Sequence, residues 1–242
     1  MKKILRKIFC KYSCPFCLHP TNQFDPLGID NEAIKKYKII GAGKRDAKCI
    51  KCNSTNRERL IYIYLKNFTK VLRTPDSFKV LHFAPEKNLF DVLIKTYLKE
   101  YISGDLFTVG YSYPNYIKEI NVLDIPFKDN YFDLIICNHV LEHIENDSAA
   151  MKELHRVLRP SGKAILQVPI SKIIKNTYED FSIINPKQRE IHFGQFDHVR
   201  IYGLDYIDKL NKSGFNVKVS NISSNYKRFG LNKNEDLFIC SK

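Results

Sequence analysis

Phe132-Asp133-Leu134-Ile135-Ile136-Cys137-Asn138-His139 is an apolar run closed by polar residues, and three stretches before it have the same form. They are Val80-Leu81-His82-Phe83-Ala84-Pro85-Glu86, Tyr101-Ile102-Ser103-Gly104-Asp105 and Asn121-Val122-Leu123-Asp124. Short apolar runs that alternate with helical patterns read as buried parallel strands of an α/β sheet. Such sheets bind ligands at the carboxyl ends of their strands, near the point where strand order reverses. The spacing predicts strands near 78–83, 101–105, 118–123, 132–137, 162–169, 215–220 and 235–240, with helices near 87–99, 147–158 and 203–213.

The strand ends carry the chemistry. Asp105 follows Pro85 by 20 residues, close to the ~20-residue spacing at which an acid after the second strand meets ribose hydroxyls. A carboxylate suits that position because it accepts from two adjacent hydroxyls. Asp124 closes the third strand, where it would accept from an exocyclic amine. Strand-end aspartates are also common turn formers, so their recurrence says more than either alone. The first loop, His82-Phe83-Ala84-Pro85-Glu86, has no glycine. A dinucleotide pyrophosphate needs close backbone approach there, which argues against NAD.

Further along, Leu123-Asp124-Ile125-Pro126-Phe127, Phe132-Asp133-Leu134-Ile135, His139-Val140-Leu141-Glu142-His143-Ile144 and Leu154-His155-Arg156-Val157-Leu158-Arg159-Pro160-Ser161-Gly162-Lys163 follow one another in order. In this block the chain resembles the class I S-adenosylmethionine-dependent methyltransferases, of the type 11-like group. The resemblance covers roughly residues 78–242. It implies a Rossmann-like seven-stranded sheet and S-adenosyl-L-methionine as cofactor. It also implies Asp105 on the ribose, Leu123 and Asp124 around the adenine, and Asn138 and His139 beside the methionine moiety. His82, Ala84 and Pro85 stand where the group has its glycine-rich turn and are counted with the cofactor contacts. Cys14-Pro15-Phe16-Cys17 and Cys49-Ile50-Lys51-Cys52 look like the N-terminal zinc module of some bacterial methyltransferases. Phe193-Gly194-Gln195-Phe196-Asp197-His198-Val199-Arg200-Ile201-Tyr202-Gly203 looks like their substrate-side loop.

The four cysteines also stand without the resemblance. Two Cys-x-x-Cys pairs place four thiolates around one tetrahedral Zn²⁺, with 31 residues between Cys17 and Cys49. Seven cysteines, an odd number, and no evident secretory signal weigh against a disulfide framework. Four thiolates leave no open position, so the metal's role is structural. Cys10, Cys137 and Cys240 read as ordinary surface or core thiols. Residues 1–74 are then a zinc-ribbon-like module with a helix over 56–74, and residues 75–242 are the methyltransferase domain.

At 242 residues and 44% hydrophobic, the chain has enough core for that pair. No run approaches the roughly 20 apolar residues of a membrane span, and a cytoplasmic location is expected. The basic start Met1–Phe9 reads as a solvated end. The net charge of +13 attracts phosphates, although the excess is spread along the chain and is densest at Lys2–Lys11 and Lys44–Arg59.

Ile170–Tyr202 is long for a connection, which marks a functional loop or lid. A hydroxyl acceptor must lose its proton, a task suited to histidine. His198 is the candidate base, Arg200 the group that orients the acceptor, and His143 a second candidate; His139 and His192 are further histidines on this side. Gly-x-Ser-x-Gly is absent. The leading expectation is O-methylation of a small or saccharide-like acceptor. An RNA methyltransferase whose zinc module grips the phosphate backbone comes second, and a non-catalytic scaffold third. Strongly salt-dependent RNA affinity would mark the second, and failure to bind S-adenosylmethionine the third. The acceptor's identity and the oligomeric state are left open.

Overall fold

The computed structural model describes residues 10–107 and 113–242, so the basic start Met1–Phe9 lies outside the described residues. Two short antiparallel ladders come first. Strand β1 (Tyr12–Ser13) pairs with β2 (Pro20–Thr21), and β3 (Asp25–Leu27) pairs with β4 (Arg45–Lys48) around helix α1 (Glu32–Tyr37). Helix α2 (Asn56–Phe68) follows. Thr55 caps it with a capping box closed by Glu58, which satisfies two N-terminal N–H groups reciprocally. The helix stops at Phe68, short of the expected 74, because Thr69 turns extended and its hydroxyl donates to the Leu65 carbonyl at 2.6 Å.

The seven-stranded sheet is built from β5 (Lys79–Phe83), β6 (Glu100–Asp105), β7 (Lys118–Glu119), β8 (Phe132–Asn138), β9 (Leu158–Gln167), β12 (Asn216–Ser220) and β13 (Leu237–Ser241). Their order is β12-β13-β9-β8-β5-β6-β7. Strands β5 to β9 pair in parallel, and β13 enters antiparallel to both of its neighbours. The strand order reverses between β5 and β8, where ligands of open α/β sheets bind. All seven residues of β8 are buried, and the alternation of its side chains supplies two cores. Ile135 and Cys137 meet α4 (Asp147–Val157) and α6 (Tyr206–Lys212) through Met151, Leu154 and Tyr206. Leu134 and Ile136 meet α2 and α3 (Lys87–Lys95) through Leu60, Leu89 and Leu93.

Three elements depart from expectation. The third strand is only Lys118–Glu119, because the Asn121 side chain accepts from the Leu123 N–H at 2.9 Å and its carbonyl accepts from Asp124. This Asx turn takes the chain off the sheet edge. Strand β9 starts at Leu158 rather than 162, with an excursion at Ser161 (φ +62°) and Gly162, where a Cβ would lie 2.8 Å from the Arg159 carbonyl oxygen. The long Ile170–Tyr202 connection has its own structure: β10 (Tyr178–Glu179) pairs with β11 (Arg200–Ile201), and α5 (Pro186–Phe193) lies between them. Phe193 of α5 packs on Ala33 and Ile34 of α1, and Ile40 bridges to Ile170. The connection is thus a wall built against residues 31–43.

Arg59 ties the cysteine-rich segment to the C-terminal segment. Its guanidinium is fully buried and donates to four carbonyls, those of Ser54 (2.6 Å), Ala47 (3.0 Å), Phe229 (2.8 Å) and Gly230 (3.1 Å), while it lies 4.0 Å over the Phe24 ring. Removing it strands four buried acceptors, at about 1–3 kcal/mol each before relaxation. Arg59→Ala is expected to lower unfolding free energy by about 3–5 kcal/mol, measured by denaturant melts. A loss below about 1 kcal/mol would contradict this role.

Candidate functional site

Four cysteine thiols converge at the N-terminal end. Cys14 Sγ lies 3.6 Å from Cys52 Sγ, Cys17 Sγ lies 3.7 Å from Cys49 Sγ, and all four sulfurs fall within 4.8 Å of one another. A tetrahedral ion with bonds of about 2.3 Å needs sulfurs about 3.8 Å apart, so the set is shaped for one. Each pair sits on a tight turn closed by backbone bonds, Leu18 N–H to Cys14 O and Asn53 N–H to Cys49 O, both 2.9 Å, with Leu18 and Asn53 at positive φ. The buried Arg59 lies beneath this centre. Its charge opposes the excess negative charge that four thiolates bring to a divalent ion.

Helix α2 carries the centre toward the sheet through Glu58 and Arg57. Glu58 Oε2 accepts from the Thr55 N–H at 2.7 Å, while Oε1 accepts from the Asn88 N–H at 3.0 Å and its side-chain amide at 3.1 Å. One buried carboxylate thereby caps two helices, its own and α3. Arg57 Nε lies 3.1 Å from Glu86 in the loop after β5.

A cavity of about 510 Å³ opens at the carboxyl ends of β5, β6 and β8. Phe83, Ala84, Asp105, Asn121, Val122 and His139 are among its lining residues. Two of them, Ala84 (φ +44°) and His139 (φ +53°), hold left-handed backbone without being glycine. Such strain persists only where surrounding structure enforces it, and it concentrates at functional sites. Here the Ala84 N–H donates to Gly104 O at 2.9 Å and the His139 N–H to Gln167 O at 2.8 Å. Burial pushes the Asp105 carboxyl up from its ordinary pKa.

Beside this cavity stand polar atoms that the protein leaves unsatisfied. Neither side-chain atom of Asn138 has a hydrogen-bond partner among the described residues, nor does either Glu86 carboxylate oxygen. Buried polar atoms left in this state cost about 1–3 kcal/mol each, so they fit a polar ligand. Burial disfavours charge on Glu86, but His82 and Arg57 outweigh it and hold its pKa near 2.

A second cavity, of about 530 Å³, lies between residues 27–45 and the α5 wall, lined by Ile34, Gly41, Arg57, Phe193 and Phe196 among others. The two cavities share His139, His143 and Gln195. At this junction Glu142, on the short helical turn Leu141–His143, faces three rings. His139 Nδ1 is 3.3 Å from Glu142 Oε1 and His198 Nε2 is 4.0 Å from it, while His143 lies edge-on to His198 with centroids 4.7 Å apart. His143 Nδ1 is 3.2 Å from Asp197. Burial disfavours charge on Glu142, yet its pKa stays near 2 because the three histidines surround it. Burial, reinforced by the neighbouring His143, brings His198 down to about 4 against the pull of Glu142. Burial also lowers His143, but Asp197 and Glu142 more than offset this, so its pKa is raised.

The sequence-derived candidates divide accordingly. Asp105, Ala84, His139 and His143 line the first cavity, and His139, His143, His198 and Arg200 the second. Asn138 is buried at the end of β8, beside His139. His82 is a fully buried strand residue bonded to the Tyr101 hydroxyl at 2.9 Å, and its contact on this side is Glu86. Pro85, Glu86 and Asn138 are not among the lining residues. Leu123 and Asp124 are exposed and do not line the cavity, because the Asx turn presents Asn121 and Val122 in their place. Arg200 lines the second cavity with its guanidinium committed elsewhere. Its guanidinium is buried and donates to the carbonyls of Leu141, Ile144 and Glu145 and to Glu179, so it fixes the turn that carries Glu142 and His143. Glu86, Arg57 and Glu142 were missed. Glu86 and Glu142 follow strand ends and Arg57 opens helix α2, and these positions become informative only once the fold brings them beside the cavities.

Comparisons with known proteins agree with this fold. Residues 80–166 match the family described as a methyltransferase domain. An uncharacterized protein of Methanocaldococcus jannaschii is 43% identical over 67 residues, 27% of this chain and 29% of that protein. The 2-phytyl-1,4-naphtoquinone methyltransferase of Nostoc sp. is 46% identical over 48 residues, 20% of this chain and 21% of that one. The chain therefore spans less than a third of the length of either relative. A SAM-dependent methyltransferase from Archaeoglobus fulgidus superposes with a TM-score of 0.50 at 14% identity, over 76% of this chain and 94% of that one, a likeness of fold. Residues 80–166, at the centre of a Rossmann-like sheet, are similar to that methyltransferase domain.

Proposed function

We propose that this chain is an S-adenosylmethionine-dependent methyltransferase that O-methylates a small polyoxygenated acceptor, with a structural Zn²⁺ in its four-cysteine centre. The observation that carries the reading is the meeting of two cavities at His139, His143 and Gln195, one at the strand ends and one beneath the α5 wall. That is the arrangement a group transfer needs, a cofactor chamber opening onto an acceptor chamber.

The first chamber fits the cofactor. Asp105 accepts from the ribose hydroxyls, Phe83 and Val122 offer apolar surface to the adenine, and the Glu86 carboxylate attracts the ammonium of the methionine end. Asn138 has a free donor and a free acceptor for the same end. S-adenosylmethionine supplies a methyl group on a positively charged sulfur. The acceptor chamber is closed by residues 27–45 and the α5 wall, which exclude water and hold the acceptor in line with that methyl. His143 and His198 face the acceptor, and Arg200 positions the turn beneath them. At about 530 Å³ the chamber falls in the 300–1,000 Å³ range of small-molecule sites, which favours a small acceptor over RNA. The Nostoc relative is named for a small-molecule acceptor, a naphtoquinone, which supports a small acceptor and not the choice of oxygen as the methylated atom. Among the described residues no helix is long and apolar enough to cross a membrane.

Two ligands separate the contacts at the two ends of the cofactor. Glu86→Gln is expected to weaken S-adenosylhomocysteine about 10–100-fold, the loss of a charged hydrogen bond, and to leave 5′-methylthioadenosine, which lacks the amino-acid end, within about 2-fold. Asp105→Ala is expected to weaken both by about 10-fold or more. Calorimetric titration reads both. Equal loss of both ligands in Glu86→Gln would remove it from the methionine end. For the metal, one zinc per chain should survive dialysis against a chelator in the wild type, and Cys49→Ser should lose it with a lowered Tm. Wild-type protein retaining no zinc would remove the structural site.

A further inference from the structure

We infer that Glu142, His143 and His198 form a second metal site, which binds a first-row divalent cation at the mouth of the acceptor chamber. The three residues each offer a ligand atom, and these atoms lie within 4.8 Å of one another. Neighbouring ligands on one ion with bonds of about 2.0–2.2 Å are about 3.0–3.6 Å apart, so side-chain movements of up to about 1.5 Å complete the site.

The independent observation is Glu142 itself. It is only 1% exposed, yet neither carboxylate oxygen has a hydrogen-bond partner among the described residues. The nearest ring, the His139 imidazole, stands 3.3 Å away without hydrogen-bond alignment to it. A buried, unsatisfied carboxylate is costly, and a cation between it and the two rings would satisfy it. The surroundings have the form of an outer shell. His143 Nδ1 is engaged by Asp197, which leaves Nε2 for an ion, and Gln195 donates to Asp197 at 2.9 Å. A carboxylate behind a ligating histidine, itself hydrogen-bonded, is the usual support of such a ligand. Arg200 locks the turn that carries Glu142 and His143 from the other side.

Two imidazoles and one carboxylate select zinc, iron(II), cobalt or manganese over magnesium or calcium. Three protein ligands leave open positions, unlike the four-cysteine centre. Both Glu142 and His198 line the acceptor chamber, so those positions face an acceptor with two adjacent oxygens, a vicinal diol or its aromatic equivalent. This acceptor class rests on the proposed function above; the metal site does not.

The test uses full-length protein dialysed to keep only its cysteine-bound zinc and then titrated with Co²⁺. The wild type is expected to bind one further ion, with d–d absorption and no sulfur-to-cobalt charge-transfer band. Glu142→Gln and His198→Ala should each weaken it by more than about 10-fold, and Asp197→Asn by about 10-fold. Asp197 is partly exposed, so its variant decides the matter should either of the others fail to fold by circular dichroism. A wild type that takes up no ion in excess cobalt, or variants that bind as well as it does, would overturn the inference. S-adenosylhomocysteine is titrated into the wild type in parallel. Binding without cobalt uptake rejects the metal site alone, and cobalt uptake without binding rejects the methyltransferase reading alone.

Discussion

Glu58 accepts hydrogen bonds from Thr55 on one side and from Asn88 on the other, and the geometry of both chambers follows from that. Helix α3 begins beside the loop that carries Ala84 and Glu86, and its own N-cap position, Glu86, makes no side-chain cap. Without an outside acceptor, the first N–H groups of α3 would compete for the Glu86 carboxylate. Glu58 supplies that acceptor and leaves Glu86 to face Arg57 and His82. Because Glu58 and Arg59 are neighbours on α2, the fixed point is shared with the four-cysteine centre, which Arg59 braces through Ser54 and Ala47. The cysteine centre thus sets the position of a helix whose Arg57 reaches the second cavity and whose Glu58 caps α3.

The other end of the active region depends on a similar economy. Arg200 spends its guanidinium on the carbonyls that end the Leu141–His143 turn, and Val199 donates to the Glu142 carbonyl at 3.0 Å. The turn is thereby held against β11, and Glu142 keeps a charge that its burial opposes. Gly41, at φ +90°, makes room for this cluster, since a Cβ there would lie 3.2 Å from the His139 ring. Residues 31–43 and the α5 wall therefore close the acceptor chamber and also shape the histidine cluster at its entrance.

Much of this was legible in the chain because strand burial has a short-range signature. The runs at 80–83, 102–105 and 132–138 became parallel strands, and Asp105 emerged at the chamber wall. Leu123 and Asp124 were displaced because periodicity continues a strand that the Asn121 side chain breaks. His82, counted with the cofactor contacts because it stands where the resembled group has its glycine-rich turn, is a buried strand residue bonded to Tyr101. Arg200 looked like an acceptor clamp because its partners are backbone carbonyls 55 to 59 residues away, which no local pattern encodes. Helix α5 could have been found: Asn185-Pro186 is an N-cap followed by proline at N1, and Gly194 closes the helix in the left-handed region. Glu142 and Glu86 acquire meaning only from burial without partners, a property of the folded molecule.

The most direct test of this account is a crystal structure of the full-length protein grown with S-adenosylhomocysteine. The account predicts the ligand in the chamber at the ends of β5, β6 and β8, its ribose on Asp105, its amino group within hydrogen-bond reach of Glu86, and its sulfur directed toward His139 and His143. Density for the ligand elsewhere, or an empty chamber at saturating ligand, would contradict it.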